Sequence, residues 1–160
     1  MTPLATIRPA VYGDAETIAN LVRELAVYEK LEQEVKADAD AFRRHLFGSR
    51  PQAEVLLADV DGVCIGLALF FLTFSTFRGA PGIYLEDLYV RPEFQGRGIG
   101  TLLLREVSRI ALERGCERLE WSVLNWNTPA IAFYESLGAR PMHDWTIYRL
   151  ADEALQRLAE

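Results

Sequence analysis

Between residues 95 and 100 the chain reads Gln95-Gly96-Arg97-Gly98-Ile99-Gly100, three glycines in alternate positions directly ahead of an amphipathic run. Glycine lets backbone amides approach a ligand with no Cβ in the way, and a helix that starts at this point presents unpaired N–H groups and a partial positive charge. That combination suits a pyrophosphate. Two phosphate-binding patterns fail on spacing. A P-loop needs Lys followed by Ser or Thr after its last glycine, and Gly100 is followed by Thr101-Leu102. A Gly-x-Gly-x-x-Gly fingerprint finds Thr101 or Leu103 where its third glycine belongs. What the residues do satisfy is Gln/Arg-x-x-Gly-x-Gly/Ala, through Gln95, Gly98 and Gly100.

Two further places carry reactive side chains. Tyr84-Leu85-Glu86-Asp87-Leu88-Tyr89-Val90 reads as a strand holding two adjacent carboxylates. A carboxylate in an otherwise apolar strand is unusual unless it is paired or functional. Strand side chains alternate, so Glu86 and Asp87 are expected on opposite faces. Farther on, Asn127-Thr128-Pro129-Ala130 opens a sharply bounded helix, with Thr128 as its cap, Pro129 in the first turn and Gly138 as its stop. Tyr134 shares a face of that helix with Ala130 and Ile131. Taken alone, Tyr134 fits an ordinary core tyrosine better than a proton donor.

The elements that must position these residues follow from periodicity. Thr6-Ile7-Arg8 opens a strand that Pro9 closes, and Asp14 caps a helix whose Ile18, Leu21, Val22, Leu25 and Tyr28 share a face. A shorter helix spans Asp38 to Phe47 and stops at Gly48. Strands Val55 to Asp59 and Val63 to Phe74 flank Asp61-Gly62, a strong hairpin signal. Strand Ile83 to Val90, the glycine turn, a helix from Gly98 to Glu113, strand Leu119 to Leu124 and helix Thr128 to Leu137 follow. Thr146 to Leu150 reads as a last strand and Ala151 to Ala159 as a closing helix. A hairpin-built antiparallel half joined to a strand, helix, strand crossover predicts a mixed α/β sheet flanked by helices, in one domain over residues 1–160.

Bulk properties narrow the partners. The net charge is −6, which disfavours a sequence-independent grip on nucleic acid and favours a cationic partner. The apolar stretch Val63 to Phe74 falls short of the roughly 20 residues a membrane span needs, and Met1 to Thr6 carries no signal-peptide pattern. Cys64 and Cys116 look like isolated reduced cysteines, and His45 and His143 have no metal-ligand spacing, so the expectation is a cytoplasmic protein without a metal.

The glycine turn, its flanking strand and helix, and the Asn-x-x-Ala-x-x-x-Tyr-x-x-x-Gly segment from Asn127 to Gly138 together resemble the GCN5-related N-acetyltransferase (GNAT) superfamily. The resemblance implies its acyl-CoA N-acyltransferase fold, a mostly antiparallel sheet with a parallel, splayed strand pair at the cofactor site, and acetyl-CoA as co-substrate. Its pyrophosphate would lie on the turn from Gln95 through Gly96, Arg97, Gly98, Ile99 and Gly100 to Thr101. Amides of Leu88, Tyr89 and Val90 would meet the acetyl carbonyl and pantetheine, and Asn127, Thr128, Pro129 and Ala130 would line the pantetheine arm. Tyr134, protonated at neutral pH, would donate to the departing thiolate. The implied reaction is direct attack by an amine in a ternary complex. An alkylammonium with a pKa of about 10.4 is neutral in only about one molecule in a thousand near pH 7.4, so a base is needed. Glu86 is the expected one.

Ile7-Arg8-Pro9-Ala10, Glu24-Leu25-Ala26-Val27-Tyr28-Glu29-Lys30, the Tyr84 to Val90 strand and Trp126-Asn127-x-Pro129 narrow the resemblance to the diamine acetyltransferase branch, the spermidine/spermine and thialysine enzymes. By that likeness Tyr28, Glu29, Glu86, Glu120, Trp121 and Ser122 line the groove for a small-molecule amine, a diamine, polyamine or thialysine-like compound, and the protein is a homodimer. Glu29, Glu32 and Glu34 cluster at the end of the first helix, as a polycation groove or a solvated acidic face would have them. The branch's later acidic run is replaced by Arg140-Pro141-Met142-His143-Asp144, which leaves short diamines and thialysine-like amino acids open. The rival readings are a peptide or protein N-acetyltransferase of the same fold and an acyl-CoA-binding module without turnover.

Overall fold

The computed structural model describes residues 5–160, so most of the N-terminal stretch read for a signal peptide, Met1 to Leu4, lies outside the described residues. The chain divides into two compact units, one ending at Ser122 and one spanning Val123–Glu160. In the first, β1 (Thr6–Pro9), α1 (Ala15–Tyr28), α2 (Ala39–Phe47), β2 (Glu54–Val60), β3 (Val63–Ser75), β4 (Ala80–Val90), α3 (Ile99–Glu113) and β5 (Leu119–Glu120) follow in order. The strands form one sheet in the order β1-β2-β3-β4-β5, antiparallel from β1 to β4 and parallel between β4 and β5. The mixed α/β sheet expected from the order of elements is the one that forms.

The sheet is buried on both faces. Ile18, Leu21 and Leu25 of α1 and Leu46 of α2 join Leu57, Leu67 and others in one apolar cluster. The alternate residues Leu56, Ala58, Ala68 and Phe70 are also buried but lie outside that cluster. They belong to the other face, where α3 packs with its buried Leu103 and Val107. At the β2–β3 hairpin Asp61 and Gly62 take φ of 51° and 78°, the double positive φ of a tight two-residue turn.

Several boundaries move, each for a local reason. Asp14 stands at the N-cap position of α1 but its side chain makes no capping bond to the helix; its carboxylate instead accepts Val11 N–H at 2.7 Å and two Arg8 nitrogens at 2.8 and 3.0 Å. Arg8 also donates to Asp59 at 2.7 Å, so this cluster ties β1 to β2 and to the start of α1. Asp38 does cap α2, accepting Ala41 N–H at 2.8 Å. The expected strand Leu119 to Leu124 contracts to Leu119–Glu120, and Thr146 to Leu150 forms no strand. Period-two patterning without a ladder partner leaves Ile147 and Tyr148 exposed instead of paired. In the second unit α4 (Thr128–Ser136) and α5 (Asp152–Ala159) are the regular elements.

Leu57, with no exposed surface, sits in the cluster beneath α1. Leu57→Ala should destabilise the fold by about 2–5 kcal/mol in urea unfolding, the usual cost of a buried leucine truncation. An unmoved midpoint would show that this cluster does not hold the sheet to α1.

Candidate active site

The carboxylate strand departs from simple alternation. On β3 the consecutive residues Leu69 and Phe70 pair with Asp87 and Leu85, so Glu86 is an extra residue in β4, a bulge. Leu69 and Tyr89 belong to the cluster beneath α1, whereas Phe70 and Leu85 do not. The bulge thus turns the strand between Leu85 and Asp87. Glu86 and Asp87, expected on opposite faces, both line one cavity of about 440 Å³.

That cavity lies between β4, the C-terminal half of α1 and the segment leading to α2, and it also takes in Glu29, Glu34 and Lys36. Apolar walls come from Val22, Leu25 and Ala26. Glu86 is exposed and Asp87 half-buried. Burial, then the neighbouring charges of Glu86 and Glu29, push the Asp87 carboxyl up to about 7. Burial also raises Glu29 above its ordinary value. Of the groove residues named from the sequence, Glu29 and Glu86 line this cavity and Tyr28, Glu120, Trp121 and Ser122 do not. Ser122 is instead hydrogen-bonded to the Tyr84 hydroxyl at 2.7 Å, and Glu120 lies 3.6 Å from Arg118. Asp87 is the residue the sequence named without assigning a task, because its burial depends on α1, distant in the chain.

Past the bulge, β4 carries Leu88, Tyr89 and Val90. The parallel ladder with β5 is limited to Ile83 with Leu119 and Tyr84 with Glu120. Among the described residues of the first unit, no strand pairs with β4 on that side from Leu85 to Val90. An extended ligand could pair with backbone groups of that stretch.

The glycine turn is braced at both ends. Arg91 grips Glu24 of α1 through two nitrogens at 2.9 and 3.0 Å, and the Tyr89 hydroxyl donates to the same carboxylate at 3.3 Å. Burial and this carboxylate push the Tyr89 phenol up to about 12, so it stays a donor. The Gln95 side chain donates to Val90 O at 2.9 Å, and its backbone N–H to Pro92 O at 3.2 Å. Gln95 therefore shapes the turn. Arg97 lies over the Phe94 ring at 5.1 Å. Gly96 and Gly98 take φ of 73° and 78°, with open space where a Cβ would point. Gly98 is the N-cap of α3, and the first helical bond runs from Leu102 N–H to Gly98 O at 3.0 Å. The amides of Ile99, Gly100 and Thr101 precede it, the orphan donors of a helix start.

In the second unit Asn127, not Thr128, caps α4: its buried side chain accepts Ala130 N–H at 3.4 Å. Thr128 and Pro129 form the first turn, and Tyr134, half-buried, packs its ring 5.4 Å from that of Phe133.

Comparison with known proteins places this geometry. Residues 16–139 match the family model described as the acetyltransferase (GNAT) family. The thialysine N-epsilon-acetyltransferase of Bos taurus is 40% identical over 96% of both chains. The L-ornithine N5-acetyltransferase of Arabidopsis thaliana is 39% identical over 68% of this chain and 48% of its own. An integron cassette protein from V. cholerae superposes with a TM-score of 0.82 over 98% of both chains at 24% identity, a likeness of fold. With a bulged β4, a parallel strand pair of only two residue pairs and a glycine turn opening α3, and with a family match over most of its length, this chain belongs to the acetyltransferase (GNAT) family.

Proposed function

We propose that this protein transfers the acetyl group of acetyl-CoA to a primary amine of a small molecule, a thialysine-like amino acid or short diamine, by direct attack in a ternary complex. The carrying observation is the cavity beside the end of β4, where Glu29, Glu34, Glu86 and Asp87 face one space of about 440 Å³. Such a space suits a compact cation better than a protein segment, and the thialysine and ornithine specificities of the two relatives point the same way.

In this reading the pyrophosphate rests on the amides from Gly96 to Thr101, where open space at Gly96 and Gly98 leaves room for it. Pantetheine runs along the edge of β4 past its ladder with β5, with the amides of Leu88 to Val90 meeting the acetyl oxygen as charge develops on it. The carboxyl pair Glu86 and Asp87 draws in the ammonium and takes its proton. Asn127 holds the first turn of α4 and so sets the place of Tyr134, whose hydroxyl protonates the departing sulfur. Residues 1–160 act as one domain, supported by a family match that runs through Ser122 and Val123. Exposed Phe77, Ile147 and Tyr148 support a homodimer, and the free cysteines Cys64 and Cys116 a reducing, cytoplasmic setting.

The direct test is a panel of amines and peptides with coenzyme A release as the readout. Turnover confined to small amines supports the reading; turnover only with peptides, or bound acetyl-CoA never consumed, overturns it. Tyr134→Phe should lower kcat by about a hundredfold with acetyl-CoA affinity unchanged; an unchanged kcat removes Tyr134 from the chemistry. Gly98→Val forces a branched side chain to a φ of 78° and places it in the proposed pyrophosphate site. The free turn of the variant relaxes to escape strain of about 1–2 kcal/mol, which binding must then restore, so acetyl-CoA affinity should fall roughly tenfold by calorimetry; unaltered binding would move the pyrophosphate elsewhere.

A further inference from the structure

The two carboxyls of the cavity are neighbours in sequence but not in environment. Glu86 occupies the bulge and is exposed, so water solvates its charge. Asp87 is paired in the ladder opposite Leu69, which belongs to the apolar cluster beneath α1, and it directly precedes Leu88 to Val90. One strand residue is about 3.3 Å, so Asp87 lies that close along β4 to the amides assigned to the acetyl group. Glu86 stands one residue farther back along the strand, as the unpaired residue of the bulge.

Resting on the acetyltransferase reading, we propose that Asp87 is the group that removes the proton from the acceptor ammonium, while Glu86 helps to hold the cation without taking its proton. Before attack, one N–H proton passes to the Asp87 carboxylate, giving a neutral carboxylic acid. The nitrogen lone pair then forms the C–N bond to the thioester carbonyl. Collapse of the tetrahedral adduct breaks the C–S bond, and the electron pair leaves with sulfur. The nitrogen loses its second proton as the amide forms, and sulfur takes up one. One proton is thus released to solvent per turnover, as Asp87 returns to its ionised form.

The charges around Asp87 suit that task. Glu86 faces it from its own strand, Glu29 from the end of α1, and Glu34 and Lys36 from the segment leading to α2. Leu69, its partner on β3, carries no charge. Burial first, and then the charges of Glu86 and Glu29, favour the protonated form of Asp87 and push its carboxyl up to about 7. Moving a proton from an alkylammonium of pKa about 10.4 to an ordinary glutamate near 4.3 is unfavourable by about a millionfold. Moving it to Asp87, at about 7, is unfavourable by only about a thousandfold. Near pH 7.4 Asp87 is still ionised in most molecules and ready to accept.

The test is the pH dependence of kcat/KM for the full chain with thialysine and with 1,3-diaminopropane. The base must be ionised, so wild-type activity should fall as pH drops through about 7, the Asp87 value in the free enzyme. The two carboxyls make opposite predictions for Glu86→Gln. Removing the neighbouring negative charge lowers the Asp87 pKa, so the acid limb should move toward lower pH while KM rises. If Glu86 were the base, the variant would need hydroxide or bulk water, and the profile would move toward alkaline pH; that result, or an unmoved limb, overturns the assignment. Asp87→Asn should abolish the limb and lower kcat by about a hundredfold; retention of the limb overturns the assignment. Because Glu86 is exposed, its variant keeps the test open even if Asp87→Asn misfolds. Wild-type turnover with any small amine upholds the acetyltransferase reading whichever way the limb moves, whereas no turnover at all overturns both.

Discussion

One inserted residue organises the working end of this protein. By placing Glu86 as a bulge in β4, the chain turns its strand between Leu85 and Asp87 and changes which face the following side chains meet. A bulge bends and twists its strand and commonly ends pairing. Here the parallel ladder ends at Tyr84, two residues before the bulge, and the remainder of β4 pairs with no strand on that side among the described residues of the first unit. The same bend sends two consecutive carboxyls into one cavity. A strand edge for an extended thioester and an acidic space for an amine therefore have a single structural origin.

The rest of the first unit holds that bend in place. On one face α1 supplies Ile18, Leu21 and Leu25 to the core and then Glu29 to the cavity, so the helix that buries the sheet also forms the wall of the site. Glu24, on the same helix, receives Arg91 and Tyr89 and so fixes the exit of β4 to α1. Partly exposed ion pairs contribute little to stability, about 1 kcal/mol or less. The value of the Glu24 bridge is geometric: it fixes where the chain leaves β4 and enters the glycine turn. Gln95, bonded to Val90 O, holds the turn close to that exit.

Electrostatics divides the cavity. Apolar walls from Val22, Leu25 and Ala26 withdraw Asp87 from water, and the acidic neighbours raise the cost of its charge further. Glu86 keeps access to solvent. Two carboxyls one residue apart thus acquire different properties from their surroundings, the usual route by which a protein separates an acid or base from a binding charge.

Local signals in the sequence determined the glycine turn, the Asp61-Gly62 hairpin, the helices and the family, because positive φ, helix starts and apolar periodicity depend on residues close together in the chain. Gly98 and Gly62 needed no partner to be legible. Pairing and burial depend on residues far apart, and those only the tertiary structure decided. Thr146 to Leu150 has the alternation of a strand but no ladder to join, and Leu119 to Leu124 loses most of its length where β4 bends away. Asp14 looked like a helix cap until Arg8 claimed it, and Asn127 took the cap assigned to Thr128. Above all, alternation separated Glu86 from Asp87. The register between β3 and β4 brought them together, and α1, some sixty residues earlier in the chain, made one of them a poor anion.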